Sequence, residues 1–503
     1  MKQILLILVA SVFMYYVNAQ NVGIGTTTPD ASAALDIKSG DKGMLVPRVA
    51  LTAVNVAAPI TAPADALLIY NTASAGTGEN AVSPGFYYWN TTTMRWTAIA
   101  TRTSDADQGN VGFGAWSDCP AAISNIGAYN PVYADDGMTG DNLGYSVSIS
   151  GDYAIIGCDV NSSNDNSGYA YIFHFDGTNW LLQQKISASD AAGYDRFGFS
   201  VSMSGNNAIV GASGKESEKG AAYIFHFNGT NWVEQQKLIS SDVAVGDEFG
   251  KSVSIYGSYA VIGANADDDY MGAAYLFHFD NTSGNWVQLQ KLTAGNRERV
   301  GGDNFGNSVA IYGLNIIVGA AQKDSQKGAA YTFYSPDKGV TWVGPQKLTP
   351  GNGSPGYFFG NSISISGNHA FIGMYGDNDY SGSVYDFYLD GTSWTLQQKL
   401  IAGDGNSKKG FGSSVSISGN TAIIGSVSAG LNRGLGSAYI FHFDGTRWLQ
   451  QQKITRPGGS GDPEFFGWSC SVDNNGRFVI GAYGAIGGNI DGRGKAFFGK
   501  INE

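Results

Sequence analysis

The chain has 503 residues, a net charge of −12 and 71 glycines, with 14% charged and 13% aromatic residues. The negative charge argues against nucleic acid as a partner, because phosphate binding depends on a basic surface. The many glycines and aromatic residues argue against a disordered chain and favour short strands joined by tight turns, so we expect an all-β protein.

The first 19 residues have the order of a secretory signal. Lys2 is followed by an apolar run from Ile4 to Phe13, and small residues precede Gln20. The run is short for a bilayer span, and no later segment is long and apolar enough to cross a membrane. We therefore expect residues 1–19 to be a cleaved signal peptide and the mature protein to be secreted or held at the cell surface.

Residues 20–105 differ from the rest of the chain. They include NVGIGTTTPDASAALDIKS, KGMLVPRV, PADALLIYNT and PGFYYWNTTTMRW, and the last predicts a hairpin in which residues 86–89 face Trp96 across a polar turn. We expect a small β-rich module here and a linker at residues 106–125. The segments resemble an N-terminal module of exported Bacteroidetes proteins and of some tail-fibre-like proteins, which implies homo-oligomers formed through this module.

From residue 126 onward one unit recurs seven times at spacings of 52–56 residues. Within the second unit, SVSMS (200–204), AIVGA (208–212), AAYIFHF (221–227) and WVEQQKL (232–238) are separated by turns and have the pattern of strands. Four antiparallel strands in each of seven units predict a seven-bladed β-propeller. The residue pairs that open the units are Leu143-Gly144, Phe197-Gly198, Phe249-Gly250, Phe305-Gly306, Phe359-Gly360, Phe411-Gly412 and Phe466-Gly467.

The two ends of the repeat region predict how the ring closes. The seventh unit stops after AFFGKI (496–501), without a fourth strand. Trp180, which begins a fourth strand, lies 17 residues before Phe197, and the position 17 residues before Leu143 is Ile126. We therefore expect residues 126–132 to form the outer strand of the seventh blade, which leaves no open edge. An open solenoid is the competing arrangement.

The opening Phe-Gly, the alternating strand and the Ile-Gly-Ala that follows resemble the FG-GAP repeat of integrin α-subunit heads and of many exported bacterial proteins. The resemblance covers residues 126–503 and implies a ligand-facing side on an integrin-like propeller. Family calcium sites occupy an acidic loop between strands 1 and 2, but here that loop is a short Ser-Gly-x-x turn. Calcium needs about 6–8 oxygen ligands, so we expect these sites to be lost and no cofactor to bind there.

Strand direction sorts the loops onto two faces. The 1–2 and 3–4 turns are nearly uniform, as tight hairpins require, whereas the 2–3 and 4–1 loops vary and share the other face. Variable loops on a rigid ring commonly carry binding sites. Aspartates cluster there, so a sugar or a divalent cation such as calcium is one interpretation, and ordinary solvated turns are the other. The candidate residues are Asp136, Asp141, Asp190, Asp195, Asp242, Asp247, Asp267, Asp269, Tyr270, Asp377, Asp379 and Tyr380.

Other patterns are expected to be structural. SPDKGVTW (335–342) matches the Asp-box of sialidases, which in those enzymes is a hairpin and not a catalytic group. Tryptophan begins six of the fourth strands, and histidines recur in third strands of separate blades, where they cannot converge on a metal. Cys158 and Cys470 replace small residues of the repeat, so we expect both to be buried. Cys119 lies outside the repeats, and its disulfide state stays open. The histidines are His174, His226, His278 and His442.

These features favour an exported, non-enzymatic binding or adhesion protein whose partner is an extracellular protein or glycan. An alternative is a carbohydrate-active enzyme, a lyase or glycosidase, in which two carboxylates from different blades meet at the centre of the propeller. A third is a structural component of a surface layer or fibre, which predicts trimers or larger assemblies.

Overall fold

The computed structural model describes 22–24, 35–37, 46–64, 67–76, 80, 82, 84–91, 94–99, 130–132, 142–159, 166–295, 298, 301–351, 356–404, 409–427, 436–455, 464–484 and 494–501. The predicted signal peptide and linker, and Cys119, Asp136 and Asp141, lie outside these residues. The chain divides into two compact units, Met1–Asp118 and Cys119–Glu503. Within the described residues, no helix is long and apolar enough to span a membrane.

The first unit is β-rich, as expected. Strands β1 (Val22–Ile24) and β2 (Leu35–Ile37) pair in parallel, and four further strands, paired in chain order, form a second sheet. The predicted hairpin is confirmed, since Trp89 lies opposite Trp96 with ring centroids 5.1 Å apart. Both indoles are buried in a small apolar core. The strands of the second sheet are β3 (Arg48–Val49), β4 (Leu68–Asn71), β5 (Gly85–Asn90) and β6 (Arg95–Ile99).

In the second unit, the described residues form seven four-stranded antiparallel sheets, consistent with propeller blades. Sheet 1 contains β8 (Leu143–Ser150), β9 (Tyr153–Cys158), β10 (Tyr169–Phe175) and β11 (Trp180–Ile186); sheet 2 contains β12 (Phe197–Ser204), β13 (Asn207–Ala212), β14 (Ala221–Phe227) and β15 (Trp232–Leu238); sheet 3 contains β16 (Ser252–Tyr256), β17 (Tyr259–Ala264), β18 (Ala273–Asp280) and β19 (Asn285–Leu292). Sheet 4 contains β20 (Phe305–Tyr312), β21 (Asn315–Ala320), β22 (Ala329–Tyr334) and β23 (Val343–Leu348); sheet 5 contains β24 (Ile363–Ser366), β25 (His369–Met374), β26 (Ser383–Asp390) and β27 (Ser393–Leu400); sheet 6 contains β28 (Phe411–Ser418), β29 (Thr421–Ser426), β30 (Ser437–Phe443) and β31 (Trp448–Ile454). Sheet 7 contains β32 (Glu464–Val472), β33 (Arg477–Gly484), β34 (Lys495–Lys500) and β7 (Asn130–Val132).

The repeated Phe-Gly pair joins each sheet to its neighbour. Phe197 is fully buried, and Gly198 has a φ of +90°, a conformation that costs glycine little. A Cβ on Gly198 would lie 2.3 Å from the carbonyl oxygen of Tyr169 in sheet 1, so only glycine allows this approach. The carbonyl of each such glycine accepts a serine hydroxyl at 2.7–2.9 Å from the adjacent sheet. The last of these bonds runs from Ser469 in sheet 7 to Gly144 in sheet 1.

Tryptophans provide a second contact between sheets. The side chain of Gln184 donates to the carbonyl of Trp232 and accepts its backbone N–H, both at 2.8 Å. The same exchange recurs between three further pairs of sheets. Trp180 instead stacks on Phe498 of sheet 7 at 4.5 Å. These contacts agree with the expectation that the tryptophans belong to the framework.

The segment before the first repeat pairs with the last strand of the chain. Residues 130–132 lie antiparallel to β34, with Val132 opposite Ala496. Arg477 of sheet 7 also reaches sheet 1, because its Nη1 lies 2.7 Å from Oδ1 of Asp152. Residues 130–132 thus occupy the place predicted for the outer strand of sheet 7, and residues 126–129 lie outside the description.

The structure also describes the histidines, the Asp-box and two of the cysteines that were expected to have structural roles. The four histidines lie in sheets 1, 2, 3 and 6, so they do not converge. The Asp-box forms a hairpin turn in which Asp337 accepts hydrogen bonds from Ser335 and Thr341. Cys158 and Cys470 are both buried, and burial raises the pKa of the Cys470 thiol to about 12.

Candidate functional site

The 2–3 and 4–1 loops meet on one face of the second unit, which we call the variable face. Lys215, in the 2–3 loop of sheet 2, donates to the backbone carbonyl of Asp190 and pairs with Asp195 at 2.8 Å. Both aspartates belong to the 4–1 loop that precedes sheet 2. The predicted grouping of these loops on one face is therefore seen in their contacts.

In the part of the chain that the structure describes, the 2–3 loops of sheets 2 to 5 each form a short left-handed turn, a feature that the sequence analysis did not predict. In the turn Lys215–Glu218, residues 216, 217 and 218 have φ values of 51°, 63° and 64°. L-residues rarely adopt this conformation in succession, so the loop must be held by its surroundings. The first residue of each turn is buried and supplies that anchor. The other three turns are Asp267–Tyr270, Lys323–Gln326 and Asp377–Tyr380.

In sheets 2 and 4 the anchor is a lysine. Lys215 is 5% exposed, and its Nζ lies 2.8 Å from Asp195 and 3.4 Å from Asp190. Burial alone would raise the pKa of Asp190, but hydrogen bonds from Tyr223 and Lys237 and the charge of Lys215 lower it to about 2. The equivalent Lys323 in sheet 4 pairs with the buried carboxylate of Asp303, also at 2.8 Å.

In sheets 3 and 5 the anchor is an aspartate. Asp267 and Asp242 share Lys291, at 2.8 and 2.7 Å, and Asp377 pairs with Lys399 at 2.6 Å. Burial raises the pKa of Asp267 in spite of Lys291. The pKa of Asp242 is lowered, because hydrogen bonds from Lys291 and Tyr275 outweigh the opposing effect of burial.

Most of the candidate carboxylates therefore have partners inside the loops. Besides the lysine pairs, the buried Asp247 accepts the backbone N–H of Ala244 at 2.6 Å. Among the residues that the structure describes, no group of three or more His, Cys, Asp or Glu side chains has the arrangement of a metal site. Asp190 and Asp242 are exposed but paired with lysines, whereas Asp269, Tyr270, Asp379 and Tyr380 are exposed on their turns and can contact a large partner.

A crevice of about 770 Å³ opens on the variable face beside the Lys215 turn. Tyr194 and Val245 are each 68% exposed at its edge, and Arg196, Glu216 and Asn166 also line it. Sequence reasoning missed Tyr194 and Arg196, although both stand in the variable 4–1 loop directly before Phe197. A smaller cavity of about 490 Å³, lined by Asp377, Lys399 and Ile401, lies beside the turn of sheet 5.

A second missed feature is an aromatic cluster formed by the first strands of sheets 1, 2 and 7 and the second strand of sheet 7. The ring of Tyr145 lies 5.0 Å from Phe199 and 5.6 Å from both Trp468 and Tyr483. Arg196 covers Phe199 at 4.5 Å. Burial, followed by the nearby charge of Asp159, raises the pKa of Tyr145 strongly. The signal was present in the sequence, because the residue after each Phe-Gly varies while its neighbours do not.

Charged groups around this cluster are paired with one another. Asp159 is almost fully buried and bonds to Arg196 at 2.9 Å, and Glu248 bonds to Lys251 at 2.8 Å. Lys251 also lies 4.7 Å from the ring centre of Phe199. The described residues therefore present an aromatic and ion-paired surface at this position.

The architecture defines a repeat protein of propeller type with a separate β-rich N-terminal unit. Six matches to the FG-GAP repeat, together more than half of the chain, cover residues 131–173, 180–225, 232–277, 286–333, 342–387 and 394–441. The chain therefore belongs to the FG-GAP repeat family. Residues 23–111 match a phage tail-like trimerisation region. No curated protein matches the chain significantly.

Proposed function

We propose that this chain is an exported, non-enzymatic binding or adhesion protein. In this proposal the seven sheets close into one propeller, whose variable face binds an extracellular protein or glycan. The N-terminal signal-like sequence supports export, and the FG-GAP repeats support the propeller. The trimerisation region supports a homo-oligomer, in which several binding faces act together.

Closure is supported by contacts between the two ends of the repeat region. Residues 130–132 pair with β34, Trp180 stacks on Phe498, and Ser469 bonds to Gly144. The first strands of sheets 7 and 1, β32 and β8, are also in contact. In a closed ring every sheet packs against two neighbours, and residues 130–132 cover the outer edge of β34, so this edge is not left open and the loop-bearing face is rigid.

The crevice beside Tyr194 is the observation that carries the proposal. Its walls are fixed by the buried Lys215–Asp195 pair, so the surface is already ordered before a partner arrives. An exposed tyrosine, an arginine and an exposed valine are available in one concave site. Tyrosine and arginine are the residues that most often dominate binding energy, because they combine large contact area with directional hydrogen bonds.

Three copies of the face on one assembly would strengthen binding. When one copy has bound, the second binding event becomes intramolecular, so overall avidity exceeds the affinity of a single site by about 10²–10⁴. The proposal therefore expects a single face to bind weakly and the assembled protein to bind tightly.

Binding of the whole chain to a glycan array and to a panel of extracellular matrix proteins tests the proposal. Tyr194→Ser and Val245→Ser are expected to lower the affinity for the captured ligand at least about tenfold, without changing the melting temperature. Val340→Ser is the matched control, because Val340 is 81% exposed on a 3–4 turn of the opposite face. Absence of any ligand in both panels, or equal loss in the control, contradicts the proposal.

A further inference from the structure

Sheet 5 breaks the repeat at one buried position. Asp386 lies in the middle of its third strand and is 1% exposed. The equivalent residues of the other six sheets carry no charge, as their pairing registers show: Ile172, Ile224, Leu276, Thr332, Ile440 and Phe498. The fold is therefore built six times without a carboxylate at this place.

The carboxylate of Asp386 is held by a histidine that is also specific to sheet 5. Nδ1 of His369 lies 3.0 and 3.1 Å from the two carboxylate oxygens. The imidazole is enclosed by aromatic rings, with Phe443 at 4.6 Å, Tyr388 at 5.2 Å and Trp448 at 5.6 Å. Among the described residues, Nε2 of His369 has no hydrogen-bond partner, so one polar atom of the pair remains available.

The surroundings of Asp386 disfavour a buried charge. Burial raises the pKa of Asp386, which shows that the surroundings disfavour its charged form, and the interaction with His369 only partly compensates. A buried ion pair can commonly be replaced by apolar residues with no loss of stability. A buried polar pair that the other sheets build without is therefore a candidate functional feature.

The pair opens into a cavity of about 510 Å³. The cavity lies on the face of the 1–2 and 3–4 turns, because His369 follows the first turn of sheet 5 and Thr446 belongs to the 3–4 turn of sheet 6. Besides His369, the side chains of Tyr388, Gln397, Thr446 and Arg447 line it. This volume is within the range of small-molecule sites.

The residues that line the cavity favour a ligand with both apolar and hydrogen-bonding surfaces. Aromatic rings offer apolar contact, while imidazole, amide, hydroxyl and guanidinium groups offer several hydrogen bonds in a small space. A sugar ring has the complementary surface, with C–H groups on one side and hydroxyls around the edge. A hydroxyl can also donate to Nε2 when Nδ1–H is directed at Asp386, or accept from it when the imidazole is charged.

We propose that this cavity is a saccharide-binding site, in which Nε2 of His369 bonds a sugar hydroxyl and Asp386 positions the imidazole. Arg447 is 66% exposed, and its Nε lies 3.8 Å from Oδ2 of Asp444, which is a loose ion pair. Its guanidinium bonds a second sugar oxygen at the open side of the cavity. The site lies on the face opposite the variable face. The proposal therefore does not depend on the proposed function, and each can be tested without the other.

The test is saturation-transfer NMR of the whole chain with glucose, galactose, mannose and N-acetylglucosamine, and with disaccharides of each to distinguish a free sugar from a chain end. The double variant His369→Asn/Asp386→Ile reproduces Asn207 and Ile224 of sheet 2, so it is expected to melt no lower than the natural protein. It is also expected to bind the sugar at least tenfold more weakly.

Val340→Ser, on the 3–4 turn of sheet 4 and outside the lining of this cavity, is the matched control and is expected to keep the sugar signal. The imidazole resonance that disappears in His369→Asn should move when the natural protein binds the sugar. This second measurement keeps the test decisive if the double variant folds poorly. The proposal is overturned if none of the sugars binds, if the double variant binds them as the natural protein does, or if the His369 resonance does not move.

Discussion

Removal of the Arg477 side chain is expected to destabilise the second unit. Arg477 lies in sheet 7, where its side chain is 8% exposed and bonds the buried Asp473 at 3.0 Å. The same guanidinium bonds Asp152 of sheet 1 at 2.7 Å and lies 5.0 Å from the ring centre of Phe175. The substitution Arg477→Ala therefore removes the bond to Asp473 within sheet 7 and the contacts with Asp152, Phe175 and Trp180 of sheet 1.

The magnitude follows mainly from the burial of Asp473. Removing the cation from a buried pair costs about 3–5 kcal/mol, because the remaining carboxylate loses its partner. Asp152 is 61% exposed, so its bond adds less than about 1 kcal/mol. Asp473 keeps hydrogen bonds from the backbone N–H groups of Asn475 and residue 477. Because these two hydrogen bonds remain, we expect the free energy of unfolding to fall by about 3–4 kcal/mol, in the lower part of the range for a broken buried ion pair.

Urea unfolding of the whole chain, followed by tryptophan fluorescence, measures this change. Lys219→Ala is the matched control, since Lys219 is 38% exposed and 3.9 Å from Glu216, and it should cost less than about 0.5 kcal/mol. In a double-mutant cycle, Asp473→Asn should recover a large part of the loss. A loss below about 1 kcal/mol for Arg477→Ala would refute the assignment of this residue as a buried link between sheets.

Other predictions concern the ion pairs, the sheet contacts and the assembly. Asp190 has a pKa of about 2 in the folded chain against an ordinary value of 3.8, so its contribution to stability is present above pH 3.8 and lost as the pH falls through 2; acid titration of Asp190→Asn should show less of this dependence. Gln184→Ala should cost about 1–3 kcal/mol in urea unfolding, because it leaves the backbone of Trp232 without both bonds to sheet 1. Gly198→Ala should cost about 3 kcal/mol or more in the same assay, through a positive φ and a contact of 2.3 Å. Sedimentation equilibrium of the whole chain should give the mass of three chains, as expected from the trimerisation region, and a monomer would contradict this.

The repeat itself was predictable from sequence because its determinants are local. The strand alternation and the turn residues fix the sheets, and the glycine after each phenylalanine is needed for a backbone approach that recurs seven times. The offset between Trp180 and Phe197 also located the segment that pairs with β34. These signals depend on period and turn chemistry, which a single sequence displays directly.

The partners of the loop carboxylates were not predictable in the same way. Asp195 and Asp267 look alike in sequence, yet Asp195 accepts a lysine from the next 2–3 loop and Asp267 accepts one from a fourth strand. The choice depends on which residue begins the left-handed turn, and such turns have no strong signal of their own. Neither interpretation of the acidic residues, a ligand site or a solvated turn, included the lysine pairs by which most of them hold the loops together.

Two breaks in the repeat are visible in the sequence. Residues 385–388 read YDFY where sheet 2 has YIFH, and His369 stands outside the third-strand histidines that were compared. The residues after Phe-Gly, such as Tyr145 and Trp468, are a similar case. Both features stand at positions where one unit differs from the others, so they show only when every position is compared across the seven units.

A designed cross-link between residues 132 and 496 tests the closed propeller most directly. These residues lie opposite each other in the antiparallel pair, where Cα atoms are about 4.5–5.5 Å apart, within the range for a disulfide. The double variant Val132→Cys/Ala496→Cys, oxidised and mapped by mass spectrometry, should give a covalent link between the two ends. The shifted pair Val132→Cys/Phe498→Cys should give much less. Equal linking of both pairs, or none in the matched pair, would contradict closure by this strand.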